Sequence, residues 1–255
     1  MTLVVMDDLY FLVDMGVSAK RASTALKEIG VEPEQLSGIL ITHEHVDHIR
    51  GLPVFSRRYH IPLYVNRGTW EGMRRRDDSI DENLVREIVT GEDFFIGQVN
   101  VMPFPIPHDA MDPVGFVFGK GSLRCAVATD IGHINDVWMN AVRGCQAMVL
   151  ESNHDEKMLR EGPYPYHLKQ RILSRKGHLS NVTCARALRE LVHGGLQAVC
   201  LAHLSGENNL PELAYAEGAR AIEEEGLRVG RDVMLSVARR DSISDMICLE
   251  DGRSR

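Results

Sequence analysis

The chain has 255 residues, 44% hydrophobic and 25% charged, with 22 glycines and 10 prolines, values that exclude a disordered or low-complexity polymer. It lacks a run of about 18 apolar residues, so nothing reads as a membrane span. Its acidic opening has no basic segment before it, which argues against a secretory signal. A formal net charge of −7 discourages nucleic-acid binding by bulk electrostatics, so phosphate contacts would have to come from a local basic surface or from bound metal.

In chain order, Leu3 to Met6 and Tyr10 to Val13 read as a hairpin with Asp7-Asp8 at its turn. Ser18 caps a helix whose apolar positions Ala22, Ala25, Leu26 and Ile29 share one face, ended by Gly30. Gly38 to Thr42 is a short apolar strand that stops in a cluster of histidines. Further strands are expected at Ile61 to Val65 and Val99 to Phe104. A hairpin is expected from Pro113 to Phe118 and Leu123 to Ala128 across Gly119 to Gly121. A helix around His133 to Val142 precedes a buried strand, Ala147 to Leu150. Val182, Ala185, Leu188, Leu191 and Val192 form a helical stripe ending at Gly194-Gly195. Ala198 to Ala202 is a strand, and Pro211 opens the next helix, reaching about Glu225. There is no repeat, linker or composition break, so a single domain over residues 1–255 is expected, with sheets covered by helices. Periodicity alone carries the fold class no further than α/β or α+β.

The segment Thr42-His43-Glu44-His45-Val46-Asp47-His48 is the most informative stretch. In extended chain, side chains alternate, so His43, His45 and Asp47 project to one side; a helix starting near Asp47 would swing His48 toward the same place. Three imidazoles and a carboxylate this close are good ligands for zinc, manganese or iron. Three more ligand-type residues follow apolar strands: His108 after Phe104, Asp130 after Cys125 to Thr129, and His203 after Cys200 to Ala202. The five cysteines include no Cys-x-x-Cys pair, which argues against a thiolate metal knot or a disulfide framework and for a reducing, cytoplasmic setting.

These motifs resemble the His-x-His-x-Asp-His signature and later metal motifs of the metallo-β-lactamase superfamily. That resemblance implies a four-layer αββα sandwich with a two-metal site. By position, His43, His45 and His108 would hold one ion, Asp47, His48 and His203 a second, and Asp130 would bridge them. Zinc or manganese is expected, with iron also compatible. Val149 to Asp155, Gly162-Pro163-Tyr164-Pro165, Lys176 to Asn181 and Leu201 to Asn209 are similar to the YycJ/WalJ family of bacterial metal-dependent exonucleases. Members of that family begin with a strand and a Gly/Ser-rich turn before the segment matching Thr2-Leu3-Val4, so an N-terminal edge strand is expected to be missing here.

What the resemblance implies is a phosphodiesterase acting on DNA in preference to RNA, with a metal-bridging hydroxide as nucleophile. Asp47, Glu151 and His178 take the catalytic roles. Glu151 and the stretch Gly177-His178-Leu179-Ser180 are similar to a pair in the superfamily's tRNA 3′-processing enzymes, where a carboxylate orients a histidine that protonates the leaving oxygen. Tyr164, Tyr166, Lys169 and Arg171 would offer an aromatic and basic wall along a nucleic-acid strand. Lys169 and Arg171 belong to the basic cluster Lys169, Arg171, Arg175, Lys176; another is Arg50, Arg57, Arg58, and a third run, Arg74-Arg75-Arg76, is followed at once by Asp77-Asp78. Two other classes stay open from sequence: a metal-dependent hydrolase of a thioester or lactam, and a non-catalytic metal-stabilised nucleic-acid-binding module.

Overall fold

Each expected hairpin and helix-strand unit is formed, with ends set by specific hydrogen bonds. The computed structural model describes residues 1–77 and 79–249; Asp78 and residues 250–255 lie outside them. By contacts the chain divides into two compact units, Met1–Pro105 with Ala110–Phe116, and Ile106–Asp109 with the remainder from Val117.

In the first unit, β1 (Thr2–Met6) and β2 (Leu9–Val13) pair antiparallel, and the turn between them places Asp7 at φ +52°. Helix α1 (Ala19–Glu28) starts where Ser18 accepts from the Arg21 amide, and Gly30 follows its end at φ +77°, as a left-handed helix exit requires. The next strand, β3 (Leu36–Leu40), begins and ends two residues earlier than the run Gly38 to Thr42 suggests. The reason lies in the hydrogen bonds. The Ile41 amide still donates to the Tyr64 carbonyl, but the Thr42 amide donates to the Asp14 carboxylate and leaves the ladder. The chain then turns through α2 (Val46–Ile49) and α3 (Leu52–Tyr59) to β4 (Leu63–Asn66), α4 (Arg67–Arg74) and β5 (Val85–Ile88). The strands lie in the order β1-β2-β3-β4-β5, parallel from β2 onward. Leu12, Ile39, Ile41, Leu63 and Val65 from the strand segments meet Ala22, Leu26, Leu52 and Phe55 from α1 and α3. Each large aliphatic or aromatic chain fully buried there is worth about 1.5–3 kcal/mol. The unit also holds the antiparallel pair β6 (Phe94–Ile96) and β7 (Val99–Pro105). Strand β8 (Val114–Lys120) carries the chain into the second unit.

The second unit takes up the chain after a turn at Gly121, which has φ +59°, with β9 (Leu123–Ala128), α5 (Asp136–Val142) and β10 (Ala147–Glu151). Helix α5 is shorter than expected because the Asn135 side chain caps it by accepting from the Trp138 amide. Then follow α6 (Glu156–Glu161), α7 (Tyr166–Ile172), α8 (Asn181–Val192), β11 (Ala198–Ala202), α9 (Pro211–Glu224) and β12 (Met234–Val237). Strands β9 to β12 lie side by side and run parallel, which obliges the helical crossovers between them. On α8, Ala185, Leu188, Leu191 and Val192 are buried as their spacing requires, whereas Val182 in its first turn is exposed. Register pairs Ala128 with Leu150 and Glu151 with Ala202. The carboxyl ends of β9, β10 and β11 therefore emerge together, the edge where parallel sheets place ligands. Among the described residues no helix is long and apolar enough to cross a membrane.

Candidate metal centre

In the first unit, β2 and β3 run parallel with Val13 opposite Leu40, so the residues after them are neighbours. Asp14, buried and at φ +60°, accepts from the Thr42 amide at 2.8 Å, the Thr42 hydroxyl at 2.7 Å and His48 Nδ1 at 2.8 Å. That last bond fixes the His48 proton on Nδ1 and leaves the Nε2 lone pair for a ligand, the arrangement by which carboxylates orient metal-binding imidazoles. His43 and His45 approach to 3.0 Å between Nε2 and Nδ1, and the His43 and His48 rings are 4.1 Å apart. His45 is the residue before α2, and the helix brings His48 round as the sequence implied. Asp47, in the first turn of α2, is 72% exposed with Oδ2 at 3.8 Å from His48 Nε2. Glu44, the remaining acidic residue of the motif, is committed elsewhere: its buried carboxylate accepts from the Met111 amide. Gly16 is required beside this cluster, because a Cβ there would stand 1.5 Å from the Asp47 carbonyl oxygen.

In the second unit, Asp130, Glu151 and His203 come from the adjoining ends of β9, β10 and β11. Asp130 and His203 have φ of +62° and +59°, a left-handed conformation costly for residues with a Cβ and concentrated at functional sites. Glu151 is fully buried and holds the group together. Its Oε1 accepts from His178 Nδ1 at 2.9 Å, His203 Nδ1 at 2.9 Å and the Asp130 amide at 3.1 Å; its Oε2 accepts from the amides of Ile131 and Leu179, each at 2.9 Å. Burial alone would raise its pKa, but the His178 and His203 bonds and charges outweigh that and hold it below the ordinary carboxylate range. His178 is moved the other way: desolvation disfavours its charge, yet Glu151 outweighs that and raises its pKa.

His108 donates from Nδ1 to the Gly177 carbonyl at 3.1 Å. Its Nε2 lies 3.6 Å from Asp130 Oδ1, and His203 Nε2 lies 3.7 Å from the same oxygen. Both imidazoles thus have Nδ1 occupied and Nε2 facing the Asp130 carboxylate from beyond hydrogen-bond length, and His108 Nε2 also has Asp109 Oδ1 at 3.3 Å. Such spacing suits donors arranged about a shared cation. Ligand atoms of Asp130, Glu151, His178 and His203 all fall within 4.8 Å of one another. Desolvation lowers the His108 pKa, which keeps the ring neutral, as a ligand must be. The donor set in both units, imidazole nitrogen with carboxylate oxygen, fits zinc, manganese or iron.

Of the sequence-derived residues, the structure brings His43, His45, Asp47 and His48 together in the first unit and His108, Asp130, Glu151, His178 and His203 together in the second. Sequence reasoning missed Asp14, whose signal was a lone acid ending an apolar strand, as at Asp130. It also missed an amide network behind Glu151. Asn181 and Asn209 exchange side-chain hydrogen bonds at 2.8 and 2.9 Å, Ser152 donates to Asn181, and Asn153 donates to the His203 carbonyl at 2.8 Å. These asparagines explain why the Ser152-Asn153, Ser180-Asn181 and Asn208-Asn209 motifs accompany the histidines. His154 is 1% exposed, neither of its ring nitrogens is hydrogen-bonded among the described residues, and burial pushes its pKa down to about 4. The expected basic wall is altered, since Lys169 donates to the Arg160 carbonyl and Arg171 pairs with Asp109.

A profile of the family described as "Beta-lactamase superfamily domain" matches residues 10–203. The chain is 38% identical over 232 residues to exodeoxyribonuclease YycJ of Bacillus anthracis, covering 88% of this chain and 85% of the relative. It is 37% identical over 223 residues to exodeoxyribonuclease WalJ of Streptococcus pneumoniae, covering 87% and 83%. Among solved structures, the metallo-β-lactamase fold protein YhfI of Bacillus subtilis superposes with a TM-score of 0.70 at 16% identity, covering 93% of this chain and 88% of that one. In fold and in sequence, the chain belongs to the metallo-β-lactamase superfamily, in the branch of the YycJ and WalJ proteins.

Proposed function

We propose that this chain is a two-metal phosphodiesterase that digests DNA from an end. The observation that carries the reading is its 37–38% identity, over 87–88% of its length, to proteins named exodeoxyribonucleases. The oriented donor sets of the two units support it. In this reading residues 1–255 form one domain, because the family profile runs across both units. His43, His45 and His108 would hold one divalent ion and Asp47, His48 and His203 the second, with Asp130 shared between them. Zinc or manganese is the proposed metal and the cytoplasm the proposed compartment. Bound there, the ions supply Lewis-acid activation of water and neutralise charge on the phosphoryl group.

The protein's own residues do the rest. Asp14 and Gly177 hold the tautomers of His48 and His108. Glu151 fixes His203 and His178 through their Nδ1 atoms, so that His178 presents Nε2 as the proton donor to the leaving oxygen. With the charge of Glu151 buried against it, His178 keeps its proton to higher pH than an unpaired histidine at the same depth would, so the donor form is the better populated one. Purified protein supplied with Zn²⁺ or Mn²⁺ should release nucleotides from end-labelled DNA, faster than from RNA of the same sequence. His45→Ala and Asp47→Ala should abolish release while the circular dichroism spectrum is kept. Turnover of a thioester or nitrocefin exceeding that of bis-p-nitrophenyl phosphate, with no digestion of DNA, would overturn the reading.

A further inference from the structure

The turn that fixes His108 also carries two cations that no carboxylate of the described residues neutralises. After α7 the chain makes a tight turn through residues 173–177, closed by the Gly177 amide on the Ser174 carbonyl and the His178 amide on the Ile172 carbonyl, each at 3.0 Å. It is pinned from outside as well. His108 Nδ1 donates to the Gly177 carbonyl and His133 Nδ1 to the Arg175 carbonyl. Gly132 packs so tightly that a Cβ there would come within 2.2 Å of the Arg175 carbonyl oxygen and 2.6 Å of Lys176 Cα. From this rigid base both Arg175 and Lys176 project into solvent. The Arg175 guanidinium donates to His133 Nε2, at 2.9 Å, and among the described residues no carboxylate forms an ion pair with Arg175 or Lys176. In a chain of net charge −7, two unneutralised cations held within three residues of His178 are conspicuous.

The helix leading into the turn adds a second feature. Tyr166 is 77% exposed and Leu173 43% exposed; seven residues apart, they lie on one face of α7 and its continuation. An exposed aromatic ring followed by fixed cations is the combination by which proteins hold single strands, with bases stacking on the ring and phosphates meeting the charges. Lys169 and Arg171 do not contribute, being engaged with the Arg160 carbonyl and Asp109.

We propose that Tyr166, Arg175 and Lys176 form a docking surface for a single strand of nucleic acid, the cations meeting backbone phosphates and the tyrosine stacking on a base. The proposal rests on the nuclease reading and names the surface that grips its substrate. Because the turn is pre-set, its backbone loses little ordering entropy when a strand settles on it.

The test is the salt dependence of binding to a fluorescein-labelled phosphorothioate oligothymidylate, which resists cleavage, with the metal-loaded protein. Each phosphate neutralised contributes about 0.7 to the slope of log K against log salt for single strands. Arg175→Ala/Lys176→Ala should flatten the slope by about 1.4, and Lys176→Ala alone, which breaks no internal bond, by about 0.7. Tyr166→Ala should weaken binding about fivefold or more at every salt concentration and leave the slope unchanged. An unchanged slope in both cation variants, in a protein that still digests DNA, overturns the docking surface and leaves the nuclease reading standing. Failure of the wild-type protein both to bind this oligonucleotide and to digest DNA overturns the two together.

Discussion

Replacing Asp14 by Asn separates the fold from metal binding, because it keeps the shape of the side chain and changes one atom. Oδ1 of Asp14 accepts from the Thr42 amide, while Oδ2 accepts from His48 Nδ1 and the Thr42 hydroxyl. An asparagine that keeps its oxygen on the Thr42 amide must place its NH₂ opposite His48 Nδ1. The imidazole then accepts at Nδ1 and carries its proton on Nε2, the atom that would face the metal. The Thr42 hydroxyl can rotate and become an acceptor, so its bond survives. The metal-free fold loses one charge-assisted hydrogen bond, worth about 1.5–3 kcal/mol, which is a fall in Tm of roughly 3–12 °C for a chain of this size. Metal affinity should fall about 10–100-fold, the usual cost of losing a partner that orients a ligating histidine, or about 1.4–2.8 kcal/mol. Competition of the protein with a chelating dye for Zn²⁺ reads the affinity, and thermal melts of the metal-stripped protein read the fold. An Asp14→Asn protein that melts lower yet binds Zn²⁺ as tightly as wild type would refute the tautomer argument.

Three further outcomes follow from other residues. His154 is held near pKa 4 by burial, so the unfolded chain takes up a proton below about pH 6.5 that the folded chain does not. Its contribution to stability is therefore full above pH 6.5 and falls by about 2 kcal/mol between pH 7 and pH 5; His154→Leu should flatten that part of the urea-melt pH profile, and an identical profile would contradict the assignment. At Gly177 a Cβ would lie 2.0 Å from the Ile172 carbonyl oxygen and 2.4 Å from that of Arg171; Gly177→Ala should cost about 1–3 kcal/mol and weaken metal binding through His108, measured by the same melts and dye competition. Burial raises the thiol pKa of Cys125 and Cys184 to about 12 and of Cys145 to about 11. Iodoacetamide at pH 8 should therefore modify the exposed Cys248 and spare those three, as peptide mass mapping would reveal.

The sequence made the site legible wherever a polar residue ended an apolar run. His43, Asp130 and His203 stood out because a ligand-type side chain follows a buried strand, and all three lie at strand ends. Asp14 occupies the same kind of position but was hidden, because one acid after a hairpin is a common turn residue and its partner His48 is 34 positions away. The hub role of Glu151 was legible only in part. Its pairing with His178 follows from the motif, whereas its bonds to the Ile131 and Leu179 amides and to His203 depend on the parallel register of β9, β10 and β11, which periodicity does not encode. The short elements α3, α4, β5, β6 and β12 escaped for a related reason: each is three to eight residues long, too brief for a period to declare itself.

The most direct test of the central claim is the divalent-metal content of the chain, measured by elemental mass spectrometry after loading with Zn²⁺ or Mn²⁺ and removal of excess. Two ions per wild-type chain are expected, falling in Asp130→Asn together with DNA digestion. A wild-type chain that digests DNA while holding no divalent ion would contradict the account.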